Sequence, residues 1–216
     1  MQGSGLIEYR IKREKQQVGI DVSGNLGNSC YRNDASIMLF LANSYYESSS
    51  ILLKTIGDSF DSQKEAKEIM KYVLPFMFNS RHYFELELKG LVMMLDSKHT
   101  PITHNISGLI NELKLRLCSY DYTRIDNPLI KENEFNNGKA TANKLLNSIE
   151  TNILSFISDE PIVEYYRYIF DNKYSIADPQ IDFDYKCYST LFKSIRSDFI
   201  KLKKELHCSG IQIFNP

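Results

Sequence analysis

The chain has 216 residues, of which 43% are apolar and 25% charged, with a formal net charge of -1. This is ordinary globular composition, enough to bury a core without disulfide or metal staples. The near-zero charge excludes a protein that wraps nucleic acid by bulk electrostatics and leaves room only for local basic patches.

No run reaches the roughly 18 apolar residues of a membrane-spanning helix, and no apolar signal stretch opens the chain, so a cytoplasmic location without membrane contact is expected. Cys30, Cys118, Cys187 and Cys208 are far apart and form no CxxC pair. Reduced cytosolic thiols are the expectation.

Residues 1–33 hold Gly3, Gly5, Gly19, Gly24 and Gly27 and the local basic group Arg10, Lys12, Arg13 and Lys15. Weak alternation over Leu6 to Val22 predicts a short strand or an extended arm. Residues 34–216 read as a helical unit. Asn33 or Asp34 can cap a helix that runs to about Ile56 and ends at Gly57. A second helix is expected from Asp61 or Ser62, with a kink or restart at Pro75. After Pro75 the pattern is amphipathic, with Phe84, Leu88, Leu91 and Leu95 on one face.

Asp96 to Pro101 reads as a turn, and Thr103 or Asn105 as the start of a third helix. Its apolar side carries Ile106, Leu109, Ile110, Leu113 and Leu117. Residues 121–138 are expected to be a polar loop, with Asn127-Pro128 and Asn136-Asn137-Gly138 as turns. A fourth helix is expected over about Ala140 to Ile157. The aromatic run Tyr165 to Phe170 and the stretch Tyr174 to Ile176 predict a small hairpin or an extended crossing, closed by Asp178-Pro179. The last helix, about Asp184 to His207, places Tyr188, Leu191, Ile195, Phe199, Leu202 and Leu206 on one face. Lys186, Lys193, Arg196, Lys203 and Lys204 fall opposite. The fold class expected is mostly α, a bundle of about five helices with a hairpin-like insertion and an N-terminal arm.

Ionisable residues concentrate at Arg81-His82, Glu85 and Lys89, with His104 opening the next helix. Arg81, Glu85 and Lys89 stand at steps of four. Exposed charges at that spacing form ion pairs worth about 0.3 kcal/mol. As a site, Arg81 would clamp a phosphate and Glu85 would orient it. His82 and His104 offer acid-base groups, although His82 lies about 100° around the helix from Arg81. His104 can reach Arg81 across the turn, or can close the helix junction by hydrogen bonds. Asp96, His82, His99 and His104 lack the spacing of a helical metal site, so no metal or cofactor is expected. The basic side of the last helix reads either as a solvated face or as a phosphate-binding stripe. The tyrosine run reads either as hairpin packing or as a base-stacking surface.

The run Leu74-Pro75-Phe76, then Arg81-His82-x-x-Glu85-Leu86-x-Leu88-Lys89, then Thr103-His104-Asn105-Ile106, resembles the HEPN superfamily over residues 35–207. It looks most like the branch with R-H-x-x-E-L-x-L-K followed by T-H-[DN]-[LI]. The resemblance implies a four- or five-helix bundle, homodimers, and work in prokaryotic defence or toxin-antitoxin systems. Many members are metal-independent endoribonucleases carrying Arg, four to six residues, then His, near the dimer seam. In this chain His82 follows Arg81 at once, and no arginine has a histidine five to seven positions later.

The expectation is an RNA-directed protein and, as an enzyme, a metal-independent endoribonuclease. Arg81, Glu85, His104 and His82 would be its catalytic residues, and Lys89, Lys193, Arg196 and Lys203 would bind substrate. The alternative is a non-catalytic protein-interaction or nucleotide-sensing subunit, with a protein partner from the same operon.

Overall fold

Buried residues recur at alternating steps of four and three, the spacing that keeps one seam of a helix against a neighbour. The computed structural model describes residues 9–13, 16–20, 30–96, 99–125, 127–157 and 183–211. Among them are five α-helices: α1 (Cys30–Asp61), α2 (Ala66–Leu95), α3 (Ile106–Ser119), α4 (Glu132–Phe156) and α5 (Tyr185–Cys208). The 3-10 turn Tyr122–Arg124 precedes α4. A separate antiparallel ribbon pairs β1 (Tyr9–Arg13) with β2 (Gln16–Ile20), Tyr9 opposite Ile20. None of the described helices is long and apolar enough to cross a membrane.

In α1 the seam is Ala35, Leu39, Ala42, Ser49, Leu53 and Ile56, and in α2 it is Ile69, Val73, Phe76, Ser80, Tyr83 and Glu87, all buried. The two helices form an antiparallel hairpin: the Tyr45 ring meets His82, the Tyr46 ring meets Tyr83, and Leu39 sits over Gly90. Gln63 turns the link between them at φ 52°. Helices α4 and α5 are antiparallel too, with Ser148 bonded to Asp198 and Asn152 to Ser194.

Between these pairs, α3 runs in the same direction as the end of α2. It begins beside Glu85, at His104, and reaches Asp96 by Arg116. The chain after α2 therefore doubles back along that helix before α3 starts. Asn105 caps α3 by accepting from the Gly108 amide at 3.0 Å. The hairpins meet in an aromatic cluster of Phe76, Tyr83, Phe84, Phe156, Phe192 and Phe199.

Three local expectations are corrected. Gly57 does not end α1, which continues to Asp61. It serves packing instead, because a Cβ there would run into the hydroxyl of Tyr185. Pro75 does not restart α2, which runs unbroken through it from Ala66 to Leu95. Val73, Phe76 and Met77 are buried on either side of it, and each such side chain contributes about 1.5–3 kcal/mol, enough to offset the ~3 kcal/mol cost of the ring. Pro75 itself is exposed, as is Lys71, whose carbonyl lacks the amide donor that proline cannot supply but stands at the surface rather than in the core.

Asn136-Asn137-Gly138 is helix, not turn. The α4 helix begins at Glu132, and the Glu134 carboxylate accepts from the Lys131 amide at 3.1 Å. Gly138 lies against Ser209, at the end of α5, where a Cβ would find no room. The hairpin expected over Tyr165 to Ile176 lies outside the described residues.

Gly90→Ala tests the close approach of α1 and α2. Helix propensity alone favours alanine by about 1 kcal/mol. A Cβ at Gly90 would stand 2.7 Å from Leu39 Cδ2 and 2.8 Å from its Cγ, in a buried seam. Overpacking of about 1–3 kcal/mol should win. Urea denaturation should show a lower midpoint for the variant, and a raised midpoint would refute the close packing.

Candidate functional site

Central burial makes the second half of α2 unusual. Every residue from Glu87 to Leu95 is buried, so the helix has neighbours all round. Glu85 and Lys89 are 5% and 8% exposed, on the side that the return chain and α3 cover. Their i,i+4 spacing brings Lys89 Nζ to 2.9 Å from Glu85 Oε1.

His104 adds a second donor from the chain before α3. Its Nδ1 lies 2.7 Å from the same Glu85 oxygen, while its side chain stays 66% exposed. Arg81, one turn before Glu85, donates from Nη2 to the His104 carbonyl at 3.4 Å. Arg81, Glu85, Lys89 and His104 are therefore one cluster, as the sequence led us to expect for Arg81, Glu85 and His104.

Burial pushes the Glu85 carboxyl up. The hydrogen bonds from Lys89 and His104, with the charges of both, outweigh that and hold it below the ordinary glutamate value. The carboxylate is thus fixed as an anion with His104 aligned on it. Such a pair orients the imidazole and leaves Nε2 toward solvent, which is how a carboxylate prepares a histidine to take or give a proton. The same return chain is pinned twice more: His99 Nε2 lies 2.6 Å from Glu112, and Asp96 bonds Arg116.

The remaining expected site residues sit elsewhere. His82 packs with Phe78, ring centroids 4.3 Å apart, and with Tyr45 edge-on at 5.2 Å. It packs toward α1 through Tyr45. Lys89 is not placed as a substrate-binding residue, since it is buried against Glu85.

Arg196 and Lys203 are not on a solvated basic face either. The Arg196 guanidinium lies 4.3 Å from the Tyr46 ring centroid and donates to Asn43 at 2.9 Å. Lys203 bonds Glu87, which is 1% exposed. Both cations reach across to the α1–α2 hairpin, because α5 packs against it along their length. Lys186, Lys193 and Lys204 are exposed. His104, His99 and Asp96 each face a different partner, and no group of three His, Cys, Asp or Glu suited to a metal occurs among the described residues. The Glu87–Lys203 pair was missed, because the steps of the helical wheel show only which residues share a helix, not which helices touch.

The Glu85 carboxyl is held low in the fold, so its stabilising contribution is complete above the unfolded value of about 4.5 and is lost as pH falls through the lower folded value. Glu85→Gln leaves Lys89 buried without its anion and should cost about 3 kcal/mol at pH 7. Melting curves should show the gap between wild type and variant closing as pH drops from 7 to below 4. A gap independent of pH would contradict the assignment. Lys203→Ala uncovers the buried Glu87 and should also cost about 3 kcal/mol, whereas the exposed Lys193→Ala should stay within about 0.5. Equal effects in denaturant titrations would return Lys203 to the surface.

No family model, no curated protein and no solved structure matches the chain.

Proposed function

We propose that the protein is RNA-directed and that Glu85, His104 and Arg81 form the site of a metal-independent endoribonuclease. The observation that carries this reading is the 2.7 Å bond between an exposed imidazole and a buried carboxylate, with Arg81 at its shoulder. In the reaction, His104 Nε2 takes the 2′-hydroxyl proton as the 2′-oxygen bonds to phosphorus. The bond from phosphorus to the 5′-oxygen breaks, and solvent returns a proton to that oxygen. Arg81 stabilises the charge on the pentacoordinate phosphorane. Glu85 orients His104, and Lys89 is a positioning residue that acts through Glu85. The HEPN resemblance extends this reading to a cytoplasmic homodimer of a prokaryotic defence or toxin-antitoxin system.

A second reading is favoured by one observation: only one imidazole stands at the cluster, since His82 turns to Tyr45 and Phe78. Under it the cluster fixes the chain before α3, and the bundle is a non-catalytic interaction or nucleotide-sensing subunit, with an operon-encoded protein as partner.

Incubation of purified protein with total RNA and tRNA in EDTA separates the two. Under the first reading wild type cleaves, leaving 2′,3′-cyclic phosphate ends, and His104→Ala and Arg81→Ala each lower the rate by about 100-fold or more. Intact RNA with a folded wild type rejects the first reading and leads to a pull-down from the host.

A further inference from the structure

At the turn between α1 and α2 lies a cavity of about 440 Å³. Val73, in its lining, and Glu85 are twelve residues apart, about 18 Å along the helix axis, so this place is separate from the Glu85 cluster. The floor is formed by Ile69 and Val73, buried one turn apart on α2. Phe60, Met70 and Phe183 wall it. The core behind sets two of these walls. The Phe183 ring stacks on Tyr188 with centroids 4.7 Å apart and meets Phe76 edge-on, and the Phe60 ring packs on Tyr185 at 5.8 Å. Phe60 is 43% exposed all the same, and Met70 is half-buried. The exposed residues Gln63 and Lys64 belong to the lining too, and stand at the mouth. Nearby, Lys67 pairs with Glu65 and Lys71 with Glu68, whereas Lys64 enters no ion pair among the described residues.

We propose that this cavity binds a single-chain apolar carboxylate of the fatty-acid class, with its tail on Ile69, Val73 and the two phenylalanine rings and its carboxylate at Gln63 and Lys64. The inference is independent of the RNA-directed reading. Sites for small ligands are concave and largely apolar, about 300–1,000 Å³ in volume, with a few polar groups placed to fix orientation. Here the apolar side chains line the interior, and the amide and the ammonium stand only at the mouth. That order matches a molecule with a long apolar body and one anionic end, because a carboxylate accepts from both groups. The carboxylates closest in the chain on α2 do not compete for Lys64, since Glu65 and Glu68 are held by Lys67 and Lys71. Walls already fixed by the core leave little ordering cost to binding. Met70, unbranched and polarisable, adapts the remaining wall to the tail.

The test is calorimetric titration of the full chain with octanoate, decanoate and decanol, each below its micelle or solubility limit. Decanoate should bind at one equivalent and about tenfold more tightly than octanoate, since each buried methylene is worth roughly 3- to 4-fold. Met70→Trp fills the cavity from a half-buried position and should abolish binding, while Met70→Leu should retain it. Lys64→Met keeps the apolar stem and removes the charge. It should weaken decanoate about 2- to 5-fold and leave decanol unchanged. Absence of saturable decanoate binding by wild type overturns the site. So does unchanged binding by a Met70→Trp variant that melts at the wild-type temperature. Octanoate held as tightly as decanoate overturns the enclosed tail, and equal weakening of decanol and decanoate by Lys64→Met overturns the carboxylate contact.

Discussion

Helix α2 is enclosed on every side from Glu87 to Leu95, and the rest of the molecule is arranged around that enclosure. A charge inside such a helix needs a partner, because an isolated buried ion costs several kcal/mol. Glu85 and Glu87 lie two residues apart and therefore point to opposite sides. One draws Lys89 and the chain before α3, and the other draws Lys203 of α5. The two carboxylates help fix the register of neighbours on either side of α2, which aromatic packing alone would leave free to slide.

The same constraint ties stability to the proposed chemistry. Glu85 remains ionised in an apolar setting because Lys89 and His104 together hold its charge. The stretch after α2 must double back so that His104 arrives at Glu85, and the Asp96–Arg116 and His99–Glu112 pairs hold it in that course.

Much of this was legible in the sequence, for identifiable reasons. The helical class, the start of α3 at Asn105 and the span of α5 follow from apolar spacing and from short polar caps, which are local signals. The grouping of Arg81, Glu85 and His104 was legible because two of the three share a helix and the third follows a short connection. Gly57, Pro75 and Gly138 misled, because propensity speaks for the isolated segment while the partner across the interface decides. For Gly57 and Gly138 that partner is Tyr185 or Ser209, each far away in the chain. Arg196 and Lys203 misled for the same reason. They stand opposite an apolar stripe on α5, but α5 is wide enough in its contacts to bring them over Tyr46 and Glu87.

What separates a structural ion pair from a candidate site here is the route to solvent. Glu87 is 1% exposed, and its partner Lys203 is an ammonium. Glu85 is nearly as enclosed, yet one of its two partners is an imidazole whose side chain is 66% exposed. That ring links a carboxylate in the core to the surface through a single hydrogen bond. An ammonium partner offers no such relay, since it has no second basic atom. Chemistry at α2 is therefore argued from His104 more than from Arg81 or Lys89: it is the member of the cluster that touches both the buried anion and the water.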